Sequence, residues 1–194
     1  MRVIAGAAGG MRLSVPDTDV RPTMDRVKAA IFSSLGDYVV GARVLDLFAG
    51  TGALGIEALS RGAASAMFVE ESRNAVAAIE QNFIRTKLRG PVRIQEVFAF
   101  LESGRAGGPF DLIFADPPYE RTKAGGEFTR LLLDNEKLAG LLAPEGFFVL
   151  EKRPEENLLS PGLWNIVRQK RYGATEVLFL KHQTAESDMA AGDA

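Results

Sequence analysis

Val44-Leu45-Asp46-Leu47-Phe48-Ala49-Gly50-Thr51-Gly52-Ala53-Leu54-Gly55 decides how the chain is read. Its opening run is apolar apart from Asp46, as in a buried strand, and a glycine turn then leads into a helix. Gly50, Gly52 and Gly55 fit the G-x-G-x-x-G spacing of a nucleotide-binding βα turn. On that reading Gly50 permits the tight bend and Gly52 lets backbone approach a ligand. Gly55 lets the helix lie close on its strand. A lone match is weak, because an ordinary βα turn with chance glycines looks the same. About sixty residues on stands Asp116-Pro117-Pro118-Tyr119, for which a dinucleotide site has no use.

Strand–helix alternation extends outward from this turn. Strands are expected at 44–48, 66–69, 92–97, 110–115 and 147–150, then two more at 164–171 and 175–180 around Tyr172-Gly173-Ala174. Between them the helical period places helices from Ala53, from Ser72 as N-cap to a break at Gly90-Pro91, around 98–102, and at 127–134. Pro144-Glu145-Gly146 reads as a turn before the fifth strand. Such alternation implies right-handed crossovers and a mainly parallel sheet with helices on both faces. Asp46 to Gly52, Glu70, Glu96 and Asp116 to Tyr119 all fall at or just after strand C-termini, where such sheets bind ligands. They are expected to line one crevice.

Ahead of this unit, 3–6 and 11–15 are short extended runs joined through Gly9-Gly10, the signature of a β-hairpin. It is expected to sit outside the main fold as an arm carrying Arg2 and Arg12. Thr23 reads as the N-cap of a helix ending at Gly36, with Met24, Val27, Ile31 and Leu35 on the buried face. Arg26 and Lys28 would lie off that face, open to ligand or solvent. The division is an arm at 1–20, one domain at 21–182 and a small polar tail at 183–194, expected to be disordered.

Composition narrows the chemistry. The 194 residues are 46% hydrophobic and 25% charged, which suits one globular domain with a full core. With no cysteine, there is no disulfide, no thiolate metal site and no cysteine nucleophile, so base methylation through a cysteine adduct is excluded. The single histidine, His182, argues against a histidine zinc site or a Ser-His-Asp triad, and no metal is expected. No apolar run reaches membrane-spanning length and no signal peptide is evident, so a cytoplasmic protein is expected. The net charge of −2 says little about nucleic acid, because binding depends on local patches. Two basic clusters, Arg2 to Lys28 and Arg168 to Lys181, are each compatible with a solvated face or with a phosphate backbone.

The two loops carry different halves of one reaction. Glu70, 20 residues after Gly50, can accept both hydroxyls of an adenosine ribose, as in NAD sites too. Asp46 can face an ammonium group, which S-adenosylmethionine has and NAD lacks; alternatively it caps the loop backbone. Glu96 and Val97 would flank the adenine, or Glu96 would cap the following helix. In Asp116-Pro117-Pro118-Tyr119 the prolines fix φ and remove two N–H donors. The Asp116 carboxylate and Pro117 carbonyl can then accept both protons of an exocyclic amine. That favours a pyramidal nitrogen whose lone pair aims at a methyl group, and the carboxylate stabilises the positive charge that develops. Tyr119 offers a flat face for a base drawn out of its stack.

Asp46-Leu-Phe-Ala-Gly-Thr-Gly-Ala-Leu-Gly, the strand end at Glu70 and Asp116-Pro-Pro-Tyr resemble class I S-adenosylmethionine-dependent methyltransferases of exocyclic amines. With Arg21-Pro-Thr-Met-Asp-Arg-Val-Lys and the glycine-rich segment before it, the chain resembles the bacterial 16S rRNA guanine-N2 methyltransferase family D. The resemblance implies an α/β Rossmann-like fold with seven strands, the last antiparallel. It implies transfer of a methyl group to guanine N2 in 16S rRNA of a 30S particle or assembly intermediate, of the guanine 966 type. It places the guanine at Asp116, Pro117, Pro118 and Tyr119. The cofactor falls at Asp46, Phe48, Ala49, Gly50, Gly52, Glu70, Glu96 and Val97. Arg2, Arg12, Arg21 and Arg26 are expected on the RNA, and the protein is expected to be a monomer. Glu96-Val97 departs from the usual Asn or Asp followed by Ala. Adenine-N6 methylation of DNA or RNA is the alternative, since Asp-Pro-Pro-Tyr serves either amine. A nicotinamide-dependent oxidoreductase would leave Asp116 to Tyr119 unexplained.

Overall fold

The computed structural model describes residues 1–15, 22–104, 106–118, 126–156 and 162–183. Arg21, Tyr119 and the tail from 184 lie outside them, as does 16–20. One seven-stranded sheet organises the rest: β1 (Arg43–Leu47), β2 (Ser65–Glu70), β3 (Val92–Ile94), β4 (Phe110–Ala115), β5 (Leu142–Lys152), β6 (Trp164–Tyr172) and β7 (Thr175–His182). The spatial order is β3-β2-β1-β4-β5-β7-β6. Neighbours from β3 to β5 pair parallel, while β7 runs antiparallel between β5 and β6. The order reverses at β1, between β2 and β4, so the crevice of a doubly wound sheet opens there.

Helices cover both faces: α1 (Pro22–Leu35), α2 (Ala53–Ser60), α3 (Arg73–Thr86), α4 (Val97–Glu102), α5 (Glu127–Leu133) and α6 (Glu136–Leu141). Side chains alternate between faces along each strand. Val44, Leu112, Phe114 and Val149 therefore meet Val27, Ile31 and Leu35 of α1 and Ile56 of α2. Leu45, Leu47, Ile113, Ala115, Phe148 and Leu150 meet Phe100, Leu132 and Leu138 of α4 to α6.

Several expectations are corrected. Residues 1–15 are not an arm outside the fold. The expected reversal is present, with an antiparallel bridge between Arg2 and Arg12 and backbone N–H groups of Val3, Gly10 and Leu13 donating to the carbonyls of Met11, Val3 and Met1, but Val3, Ala8 and Leu13 are buried in the main core. The segment is tied to α2 by hydrogen bonds from the backbone N–H groups of Ile4 and Ala5 to Glu57, and of Ala8 to Ser60 Oγ. Lys28 is not open to solvent; it is buried, 3.5 Å from Glu57, and its Nζ donates to the Arg2 carbonyl at 2.6 Å. Burial lowers its pKa, and Glu57 opposes that shift. Helix α1 starts at Pro22, and α3 ends before Gly90-Pro91 because Lys87 takes a left-handed φ of 57°. Pro144 to Gly146 falls within β5, where the register jumps from Phe110–Leu142 to Leu112–Phe147. Strand pairing accommodates the turn as an irregularity.

Candidate active site

The strand β1 delivers Asp46, and the turn after it begins with an unusual backbone. Phe48 has φ of 54°, a left-handed value that costs a non-glycine residue on the order of 1–3 kcal/mol. Its ring is held against Phe98 and Phe128 at centroid distances of 6.2 and 5.9 Å, and those two rings stack at 6.0 Å. Gly50 follows at φ 56°; a Cβ there would meet nothing closer than 3.9 Å, so conformation and not crowding requires glycine. Gly52 is different. It is buried at φ 74°, and a Cβ would come within 3.2 Å of the Phe68 ring, so both conformation and core packing call for glycine there. At Gly55 a Cβ would lie 2.4 Å from the same ring, which fits close helix–strand packing.

Asp46 is 2% exposed, and its Oδ2 accepts the Gly55 N–H at 2.8 Å. It therefore caps the start of α2, and its carboxyl also lines the adjoining cavity. Burial pushes its pKa up to about 8, with Asp116 and Glu70 adding to the rise and the Gly55 bond opposing it. Glu70 accepts the Gly50 N–H and the Ser72 N–H, each at 2.8 Å. A carboxylate has about four acceptor sites, so roughly two remain for hydroxyl donors. Glu96 accepts the N–H groups of Phe98 and Ala99 at 2.9 and 2.7 Å, so it caps α4, the other reading its position allowed. Val97 is buried but still reaches the cavity wall.

Two cavities meet at this turn. One of about 360 Å³ is lined by Phe48, Gly50, Glu70, Glu71, Glu96, Val97, Asp116, Pro118 and Phe128. Carboxylates at one wall and apolar side chains at the others suit a nucleoside. The second, of about 270 Å³, is lined by Met1, Val15, Lys28, Asp46, Phe48, Ala49, Gly50, Thr51, Leu54, Asp116 and Glu151, among others. Phe48, Gly50 and Asp116 border both, so the glycine turn and Asp116 face one two-lobed cleft, with Pro118 on the wall of the larger lobe. Pro117 is buried and Pro118 exposed. Of the residues expected to line one crevice, Asp46, Phe48 to Thr51, Glu70, Glu96, Asp116 and Pro118 border this cleft, whereas Leu47, Gly52 and Pro117 do not, and Tyr119 lies outside the described residues.

Glu151 was not anticipated. The expected fifth strand stopped at Leu150, whereas β5 runs on to Lys152 and delivers a carboxylate at its end. The signal was available, since Asp46, Glu70 and Asp116 also fall at or just after strand C-termini. Register aligns Asp46 with Phe114 and Phe114 with Val149, so Asp116 and Glu151 stand one step further along the same sheet face. Burial holds the Glu151 carboxyl well above the usual range, and Asp116 and Asp46 add to that. Burial likewise raises Asp116, to about 6. Three acids thus crowd one cavity, although no group of metal-ligating spacing occurs among the described residues. A site of this kind favours a ligand that brings positive charge and N–H donors.

Arg2 and Arg12 are exposed and brought opposite each other by their bridge, and Arg26 is exposed on α1. Met1 and Val15, at the two ends of that segment, border the smaller cavity.

Similarity to known proteins follows the same outline. The family model described as "Conserved hypothetical protein 95" matches residues 1–181. Ribosomal RNA small subunit methyltransferase D of Escherichia coli K12 is 37% identical over 191 residues, covering 97% of this chain and 93% of that protein. The Bacillus subtilis protein YlbH is 37% identical over 186 residues, covering 93% and 98%. The solved structure of the Escherichia coli protein yhhF superposes with a TM-score of 0.78 at 36% identity, over 94% of this chain and 98% of that one. Similar to these proteins in sequence and fold over nearly its whole length, the chain belongs to the ribosomal RNA small subunit methyltransferase D family.

Proposed function

We propose that the chain transfers a methyl group from S-adenosylmethionine to the exocyclic N2 of a guanine in 16S rRNA, the residue of the guanine 966 type in the small subunit. The observation that carries this reading is the shared cleft, in which Asp116 borders both the nucleoside-sized lobe and the acidic lobe. S-adenosylmethionine fits the two lobes in chemistry: ribose hydroxyls on Glu70, adenine against Val97 and the aromatic wall, ammonium and sulfonium towards Asp46 and Asp116. Bound there, it supplies an electrophilic methyl group.

The chain's residues do the rest. Asp116 and the Pro117 carbonyl accept the two amine protons and orient the nitrogen lone pair; the carboxylate then offsets the charge that develops as the N–C bond forms. Positioning of this kind is worth at most about 7–11 kcal/mol of the barrier. Tyr119 supplies the stacking face. Arg2, Arg12, Arg21 and Arg26 hold the RNA backbone. The working substrate is a 30S particle or an assembly intermediate, met by a monomer in the cytoplasm.

The test uses small subunits isolated from cells in which the gene is disrupted. After incubation with the protein and labelled S-adenosylmethionine, the RNA is digested to nucleosides and the labelled base identified by mass spectrometry. N2-methylguanosine is expected. Label in N6-methyladenosine would replace this reading with the adenine one.

A further inference from the structure

We infer that Glu151 is the residue that reads the target base, by accepting the N1–H of guanine while Asp116 holds the neighbouring amine. This deepens the guanine-N2 reading and rests on it. Three observations lead here. Glu151 lines the same cavity as Asp116, at the end of the adjacent parallel strand and on the same sheet face. It makes no hydrogen bond or ion pair with another described residue, unlike Asp46, Glu57, Glu70 and Glu96, which are all engaged by backbone N–H groups. A partly buried acid on a cavity wall without such a partner is available to a ligand.

The chemistry of the purine edge selects which ligand group. In guanine the amine at C2 adjoins N1–H, a donor. In adenine the amine at C6 adjoins N1 without hydrogen, an acceptor. Two neighbouring carboxylates, on Asp116 and Glu151, match an edge that presents donors from two adjacent nitrogens. They oppose an edge that presents a donor beside an acceptor, because an acceptor facing an ionised Glu151 finds only repulsion. A cationic donor molecule in the cleft favours the ionised form of both acids, so base reading and donor binding act together. Lys28, the one cation on the cavity wall among the described residues, is already occupied by Glu57 and the Arg2 carbonyl and does not neutralise Glu151 in their place.

The test replaces the mapped guanosine of the small-subunit RNA by 2-aminopurine, which keeps the 2-amino group and lacks the N1 hydrogen. The protein is expected to methylate guanine faster than 2-aminopurine by ~10²-fold or more in kcat/KM, since sites built around an N–H reject analogues lacking it. Glu151→Gln can turn its amide to donate to N1, so the preference should fall to within about tenfold while donor affinity stays within about threefold. A Glu151→Gln variant that keeps the full preference overturns the proposal. So does one whose main defect is weaker S-adenosylmethionine binding, which would assign Glu151 to the donor. If mapping finds no methylated guanine, the parent reading has failed, and that result is scored before any Glu151 variant is made.

Discussion

On the proposed mechanism Asp116 sits where two demands conflict: it must be ionised to accept the amine protons, yet burial raises its pKa to about 6. Methyl transfer should therefore fall as pH drops through about 6. Asp116→Ala should lower turnover by at least ~10²-fold while S-adenosylmethionine still raises the melting temperature. Undiminished turnover would remove the residue from the mechanism. Asp46 offers a stability counterpart. Its folded pKa of about 8 lies above the ordinary aspartate value of 3.8, so the folded state binds the proton more tightly than the unfolded one. The cost to folding is absent below pH 3.8, grows as the unfolded state ionises first, and is complete above about 8. Asp46→Asn can still accept the Gly55 N–H and escapes the cost. In thermal melts without ligand it should exceed the parent at pH 9, by on the order of a few kcal/mol, and match it near pH 4. Equal melting at pH 9 would mean that the buried carboxyl carries no such cost.

Among the elements, the join between residues 1–15 and α2 depends on one buried acid. Glu57 is fully buried and accepts the N–H groups of Ile4 and Ala5 at 2.7 and 3.1 Å and Arg61 Nε at 2.7 Å, with Lys28 at 3.5 Å. Glu57→Ala strands a buried lysine and two backbone donors, which should cost ~3–5 kcal/mol and appear as a lower denaturation midpoint. A loss below about 1 kcal/mol would mean the segment is held by apolar burial alone. Glu57 also marks the limit of the sequence reading. Period and punctuation located α2 at its observed ends, because Gly52 and Gly62 bracket an apolar run. Nothing local to Glu57 distinguishes a helix acid facing solvent from one facing the core, and its partners in the first segment lie more than fifty positions away. The same distance hid the docking of 1–15: Gly9-Gly10 correctly signalled a reversal, but Val3, Ala8 and Leu13 are buried by elements that no short window contains. Glu151 was missed for a different reason: the expected strand stopped at Leu150, two residues short of its observed end at Lys152.

At the scale of the whole molecule, the crevice was legible because Asp46, Glu70 and Asp116 each fall at or just after a strand end and each had a functional reading at that end of the sheet. The surface was not, since charge on a linear chain does not say which face it occupies. Of the second basic cluster, Lys181 pairs with Glu145 at 2.7 Å, and Arg168 and Lys170 reach Ser34 on α1, so much of it is spent within the protein. Arg2 and Arg12 stand otherwise: exposed, brought opposite each other by a backbone bridge, on a segment whose ends border the cleft. A phosphate backbone entering the cleft would meet them together. Each phosphate engaged by an arginine displaces condensed counterions, so binding weakens with salt in proportion to the number of phosphates engaged. Replacing both arginines by alanine should weaken binding to small-subunit RNA and shallow the slope of log affinity against log salt by ~0.7–0.9 for each phosphate no longer engaged. Because neither side chain is buried, melting temperature should hardly change. A slope equal to the parent's would take the RNA path away from this segment and leave Arg26 on α1 as the described arginine to test next.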